Sequence, residues 1–281
     1  MRGKTVIVTG ANSGMGLATT VELARRGAHV VMLCRNEERG RTAWEKAVQQ
    51  SGSDRLEMML CDLGSQESIR RLAAQVKDRH SVIDVLVNNA GVVSLKRELT
   101  AHGFESHLGI NHLGHFLLTN LLLESLTRAE EGRIVNVSSG IYKIGKIHWE
   151  DPTLTRGYNV AKGYAQSKLA NVLFTKQLAR RLEGTRVTAN CLHPGAVATN
   201  IGVDRNTGFG KSLVGLLRPF FLTAEEGAET AVYLASSPEV KGITGQYFYK
   251  KKAQPVVAKA EDPEAARRLW EWSERQVGLS D

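Results

Sequence analysis

A chain of 281 residues with 42% hydrophobic and 23% charged residues has the balance of a globular protein, with room for one large α/β domain or two small ones. Its net charge of +8 comes from basic residues scattered among acids, often paired on helical segments as in Arg25-Arg26 and Arg180-Arg181. That pattern fits a solvated surface that attracts an anionic cofactor and argues against a nucleic-acid footprint.

The N-terminal Met1-Arg2-Gly3-Lys4 runs directly into a strand-like segment, which leaves no room for a signal peptide. No apolar run approaches the 18 or so residues of a membrane span, so the chain is expected to be soluble and cytoplasmic. Cys34, Cys61 and Cys191 each end an apolar run; they form neither a disulfide framework nor a metal spacing and are expected to be buried thiols. Strand-like runs follow at 5–9, 29–34, 56–61, 82–87, 133–137, 186–192 and 246–249. Between them, helical periodicity covers 14–26, 37–51, 65–79, 103–126, 160–182 and 224–236. Thr223 and Glu226 have capping-box spacing, and Asp262-Pro263 opens a last helix over 262–278 that Gly278 closes. About seven Val/Ile/Leu-rich strands alternating with helices predict a doubly wound parallel sheet, a Rossmann fold, with helices on both faces. No linker or repeat interrupts 1–281, so one domain is expected.

Thr9-Gly10-Ala11-Asn12-Ser13-Gly14-Met15-Gly16 falls between the first strand and the first helix. Glycines there let the backbone approach a pyrophosphate, whose charge the helix N-terminus meets with its free N–H groups. A tight turn alone also explains such a triplet; the position after an N-terminal strand favours the phosphate loop.

The Gly-x-x-x-Gly-x-Gly spacing resembles the short-chain dehydrogenase/reductase family, and further segments match in order over roughly residues 3–250. Asp62-Leu63 is similar to the family's adenine-side contact, and Asn88-Asn89-Ala90-Gly91 to the motif that stiffens the sheet beside the cofactor. Tyr164-Ala-Gln-Ser-Lys168 matches the signature Tyr-x-x-x-Lys, and His193-Pro194-Gly195 the loop flanking the nicotinamide, which continues through Val197 and Thr199. The segments 109–116 and 167–174 most resemble the retinol-dehydrogenase-like branch. The resemblance implies hydride transfer between a nicotinamide cofactor and a carbonyl/alcohol pair.

Tyr164 and Lys168 lie four apart on a predicted helix and share a face, which an ordinary surface pair would also do. A reductase must protonate the alkoxide formed as hydride arrives. A phenol can do so once its pKa, near 10 when free, is lowered by about 3, or roughly 4 kcal/mol. The Lys168 ammonium and the positive nicotinamide are expected to supply this. By resemblance Lys168 also holds the nicotinamide ribose, and Asn111 holds a water that relays protons to it. Ser138 and Ser139 both end the fifth strand; the family pattern aligns Ser139 with the serine that bonds the substrate oxygen. His112 and His115 have no ligand partners at metal spacing, so no metal is expected.

The second strand ends Cys34-Arg35, where an NAD enzyme of this architecture places an acid on the adenine ribose. Cys34 brings no charge to repel a 2′-phosphate and Arg35 offers it a fork of donors, so NADP(H) is the expected cofactor. An arginine facing Glu37 or Glu38 is the alternative. Ile141, Tyr142, Ile144, Ile147 and Trp149 suit either a lipophilic substrate or a core. The segment 200–222 alternates glycines with bulky apolar residues and suits a substrate lid. Lys211 and Arg218 there also permit weak peripheral membrane contact. Relatives pair through the helices near 103 and 160, which makes a homodimer an open option, and the C-terminal helix can obstruct tetramer contacts. Two other functions compete. A sugar-nucleotide epimerase or dehydratase usually has a differently spaced glycine loop and a larger C-terminal domain, and a non-catalytic NADP sensor would be favoured by a damaged tetrad.

Overall fold

The computed structural model describes residues 1–195 and 222–279. Among the described residues eight strands form one sheet in the order β3-β2-β1-β4-β5-β6-β7-β8. They are β1 (Thr5–Thr9), β2 (His29–Cys34), β3 (Leu56–Leu60), β4 (Val85–Asn88), β5 (Gly132–Val137), β6 (Val187–His193), β7 (Tyr247–Tyr249) and β8 (Lys252–Gln254). All pairings are parallel except β7 with β8. The doubly wound fold read from the sequence is therefore the observed one.

Nearly every residue of β1, β2 and β4 is buried, because helices cover both faces and successive side chains enter opposite layers. Val6, Val8, Val30 and Met32 pack beneath α1 (Gly14–Arg25) and the helix Ala224–Ser236. Ile7, Val31, Leu86 and Ile134 enter the other layer, which also holds residues of α3 (Gln66–Arg79) and of the helices His115–Thr127 and Val160–Arg181. The helix α2 spans Glu37–Ser51. Trp270, on the last helix Pro263–Val277, wedges against Phe116 and Phe174 with ring centroids at 4.8 and 5.8 Å. The terminal helix therefore packs on the helices Val160–Arg181 and His115–Thr127.

Three details differ from the expectations. An eighth strand, β8, adds an antiparallel edge that its sequence Lys-Ala-Gln does not announce. β4 starts at Val85, three residues later than expected; Asp84, just before it, accepts from the Thr5 N–H at 2.8 Å and pairs with Lys4 at 3.0 Å. The single helix expected over 103–126 is α4 (Ser106–Leu108), a wide π-helical turn at Gly109–Gly114, and α5 (His115–Thr127). The remaining helices are α6 (Val160–Arg181), α7 (Ala224–Ser236), α8 (Ala258–Glu261) and α9 (Pro263–Val277). Among the described residues no helix is long and apolar enough to cross a membrane.

Candidate active site

The loop from β1 into α1 is built for close approach. Gly10 and Gly14 adopt φ of +64° and +52°, which disfavour any side chain. A Cβ on Gly16 would strike the Gly10 carbonyl and the Asn89 amide, and one on Gly10 would meet Ala90 Cα at 2.9 Å. Ser13 occupies the N-cap of α1 without a side-chain cap bond, and no acid lies in the first turn. The first N–H groups of α1, at Gly14, Met15 and Gly16, have no partner inside the helix and are left for an anion. This cradle fits a dinucleotide pyrophosphate.

Thr9 locks the loop to the strand beside it. Its hydroxyl accepts from the N–H groups of Asn89 and Ala90, both at 2.9 Å, and lies 2.9 Å from His115 Nε2. Asn89 Nδ2 donates to the Thr9 carbonyl at 2.8 Å. His115 is thus a buried strut, its pKa pushed down to about 4 by burial. His112 is likewise engaged, with Nε2 2.9 Å from Ser273 Oγ on α9.

Past the end of β2, Arg35 and Asp62 line one cleft of about 450 Å³ together with Met58, Cys61, Ser68 and Arg71. Arg35 is exposed and forms no ion pair among the described residues; Glu37 instead faces Arg41 at 3.8 Å. Cys34 is buried against Gly40, with its thiol pushed up to about 11 by burial, so it carries no charge. Asp62 Oδ1 accepts from the Gly64 N–H at 2.9 Å, closing the turn that buries Leu63.

The reacting end lies beyond the carboxyl ends of β4 and β5. Lys168 is almost wholly buried, donates from Nζ to the Val137 carbonyl at 3.1 Å, and stands 5.5 Å from the Tyr164 ring centroid. Burial pushes its pKa down to about 8. Gly91 lies between Lys168 and Asn111, since a Cβ there would lie 3.7 Å from Lys168 Nζ and 3.6 Å from Asn111 Oδ1. Asn111 sits in the π-helical turn, fully buried, bonded to both the N–H (2.8 Å) and the carbonyl (3.1 Å) of Val92.

The two serines separate cleanly. Ser138 is buried and its hydroxyl donates to the Lys168 carbonyl at 2.8 Å, a link between β5 and α6. Ser139 caps the short 3-10 turn Gly140–Ile144, and its hydroxyl is the one beside the Tyr164 phenol. Burial raises the phenol's pKa from its ordinary value and the Ser139 hydroxyl opposes that rise. Lys168 Nζ is directed at the Val137 carbonyl, and the positive nicotinamide ring that the sequence reading also invoked would add its charge beside the phenol when bound.

On the remaining loop, Gly195 has φ of +91° and the His193 ring stacks on Tyr249 at 5.0 Å. Pro194 lies between them in sequence, while Val197, Thr199 and all of the expected lid at 200–222 except Leu222 lie outside the described residues. Of the proposed substrate wall, Tyr142 and Ile147 are core, Tyr142 packing on Tyr247 at 4.9 Å. Trp149 lies under the Arg268 guanidinium at 4.4 Å. Ile144, Leu95 and Leu99 remain exposed on the loops that leave β5 and β4.

Two features escaped the sequence reading. A wholly buried pair, Glu105 and His107, backs Tyr164: His107 Nδ1 lies 2.6 Å from Glu105 Oε1 and its ring 6.0 Å from that of Tyr164. The Ser94 N–H donates to His107 Nε2 at 2.9 Å, so Nδ1 carries the proton and donates it to the carboxylate. Burial alone would raise the Glu105 pKa, but bonds from the His107 side chain and from the N–H groups of His107 and Leu108 hold it below the ordinary range. A buried polar ladder also crosses the sheet. Asn88 Nδ2 donates to Asn136 Oδ1 at 2.8 Å, Asn136 Nδ2 to Thr175 Oγ1 at 2.9 Å, and Thr175 to the Asn171 carbonyl at 2.7 Å. Asn88 stood in a quoted motif; nothing in the spacing of the others marked them.

A doubly wound sheet with a glycine cradle at its first crossover and Tyr, Lys, Ser and Asn gathered beyond β4 and β5 defines a dinucleotide-dependent oxidoreductase. The comparisons agree. A family model described as short chain dehydrogenase matches residues 4–209. Human retinol dehydrogenase 14 is 46% identical over 99% of this chain and 88% of its own length, and human retinol dehydrogenase 13 is 44% identical over 99% and 85%. A solved structure from Mycobacterium paratuberculosis superposes with a TM-score of 0.79 at 38% identity, covering 99% of this chain and 94% of that one. The chain belongs to the short-chain dehydrogenase/reductase family, in its retinol-dehydrogenase-like branch, and is an oxidoreductase that uses a nicotinamide cofactor.

Proposed function

We propose that this protein interconverts a lipophilic aldehyde or ketone and its alcohol with NADP(H), with Tyr164 as the acid/base. The observation that carries the reading is buried Lys168, its Nζ 5.5 Å from the Tyr164 ring centroid, with the Ser139 hydroxyl beside the same phenol. Gly10, Asn12, Ser13, Gly14, Met15 and Gly16 would hold the pyrophosphate, Asp62 and Leu63 the adenine side, and Asn89, Ala90, Gly91, Pro194 and Gly195 the nicotinamide half. Arg35, exposed beside an uncharged Cys34, would take the 2′-phosphate. A structural neighbour from Shigella flexneri is complexed with NADP, which favours the same choice. The relatives' name, retinol dehydrogenase, and exposed Ile144, Leu95 and Leu99 support a lipophilic substrate.

When bound, the reduced nicotinamide supplies the hydride and the oxidised ring a positive charge. Ser139 donates to the substrate oxygen and steadies charge developing there. Tyr164 delivers its phenolic proton to that oxygen as the carbon is reduced, and takes it back in the oxidation direction. Lys168 holds a positive charge beneath the phenolate and favours its formation. Asn111, fixed by both of its bonds to Val92, holds the Gly91–Val92 backbone beside Lys168.

The test is NADPH oxidation with a panel of lipophilic aldehydes and ketones, beside the variant Tyr164→Phe. Turnover should fall at least about 100-fold in the variant while NADPH binding persists. Near-normal turnover in the folded variant refutes the assignment.

A further inference from the structure

His29, Glu57 and His80 have no part in the chemistry above. His29 opens β2, Glu57 lies on the adjoining edge strand β3, and His80 caps the C-terminus of α3, so three elements distant in sequence meet at one point. Glu57 Oε2 lies 2.9 Å from His80 Nε2 and 3.6 Å from His29 Nε2, and the ligating atoms of all three side chains fall within 4.8 Å of one another. The six residues of β2 separate His29 from the Arg35 end of the sheet, roughly 20 Å at the usual strand rise.

His29 Nε2 is shielded from solvent yet has no hydrogen-bond partner among the described residues. Such an atom normally has one. Hydrogen bonding explains why His80 faces Glu57; it does not explain why the unbonded nitrogen of His29 faces the same carboxylate oxygen. We propose that His29 Nε2, Glu57 Oε2 and His80 Nε2 form a binding site for one divalent transition-metal ion of the zinc class. Ligand bonds of 2.0–2.2 Å in tetrahedral array put donor atoms about 3.4 Å apart. The His29–Glu57 spacing already matches this, the His80–Glu57 contact must open by about 0.5 Å, and the two imidazole nitrogens, within 4.8 Å of each other, must come to that separation.

The surroundings suit such an ion. Arg79 bonds Glu57 through Oε1, which leaves Oε2 free to ligate and fixes the carboxylate's orientation, as outer partners of metal ligands commonly do. All three side chains are partly exposed, which gives an ion a path in and leaves water to complete the coordination. Two imidazoles with one carboxylate favour zinc, cobalt or nickel over calcium or magnesium, which prefer all-oxygen sites. The site lies far from Tyr164 and would clamp the edge strand and α3 to β2.

The experiment uses tag-free, chelator-stripped protein, titrated with Zn²⁺ against a chromophoric competitor and with Co²⁺ by visible absorption. One equivalent should bind, the Co²⁺ complex should show the intense bands of a low-coordinate nitrogen/oxygen site, and Tm should rise by roughly 5 °C at a hundredfold excess over Kd. His29→Gln and His80→Gln should each weaken binding at least about tenfold while leaving metal-free Tm and NADPH oxidation near wild type. His29→Gln is decisive because it removes no hydrogen bond. Failure to bind one equivalent at micromolar metal, or binding that survives unchanged in either variant, overturns the proposal.

Discussion

Replacing Lys168 by methionine should kill turnover and yet stabilise the cofactor-free protein. The ammonium is almost wholly buried, its bond to the Val137 carbonyl is shared with Asn171, and burial pushes its pKa from 10.5 to about 8. That depression corresponds to a destabilisation of ~3 kcal/mol whenever the lysine is charged in both folded and unfolded chains, that is, below pH 8. Between pH 8 and 10.5 the folded protein releases the proton while the unfolded chain retains it, so the destabilisation shrinks, and above 10.5 it vanishes. Methionine fills a similar volume without charge, and Asn171 continues to satisfy Val137 at 3.2 Å. After about 1 kcal/mol for the lost lysine bond, a net gain of ~2 kcal/mol remains, worth roughly 4 °C in a chain of this size. Thermal melts of wild type and Lys168→Met from pH 6 to pH 10, without cofactor, read this directly. The variant should melt higher at pH 6–7 and lose its advantage towards pH 10. A variant that melts lower than wild type at pH 6–7, or a difference that does not change with pH, refutes the reasoning.

Arg35→Ala should weaken NADPH about 10- to 150-fold, the equivalent of one charge-assisted bond of roughly 1.5–3 kcal/mol, and leave NADH nearly unchanged. Equal losses for both cofactors would remove Arg35 from the phosphate site. Glu105→Leu leaves the N–H groups of His107 and Leu108 and the His107 Nδ1–H without their acceptor in a wholly buried place, and should cost about 3–5 kcal/mol in urea unfolding. A loss under about 1 kcal/mol would show that the pair is dispensable to the fold.

Seven of the eight strands were legible because near-continuous Val/Ile/Leu runs alternate with helical periods, and the glycine loop, Asp62 and Asn88–Gly91 were legible because they stand where strands end. The family pattern favoured Ser139 over Ser138 without a physical reason, which the packing of α6 supplies: the Ser138 hydroxyl is taken by the Lys168 carbonyl. The π-helical turn was hidden because one extra residue in a turn barely disturbs an apolar period over 103–126, though it sets where Asn111 points. The β7–β8 hairpin was hidden for another reason. Its turn places Lys250 and Lys251 at φ of 48° and 62°, where Asn-Gly would have announced it. The spacing of Tyr164 and Lys168 correctly placed them on one face of a helix, but not the balance of burial against charge that sets the phenol's proton affinity.

The ladder from Asn88 through Asn136 to Thr175 bears on how this enzyme can diversify. Hydrocarbon contacts between a helix and a sheet allow small slides, whereas a run of directed amide and hydroxyl bonds admits one alignment and penalises its neighbours. The helix that carries Tyr164 is thus indexed to the sheet by buried amide and hydroxyl groups. Mutations that resize the apolar rim around Ile144, Leu95 and Leu99 can accumulate without moving Tyr164 relative to β5. Under the proposed function, substrate preference and proton delivery are separately heritable traits in such a scaffold.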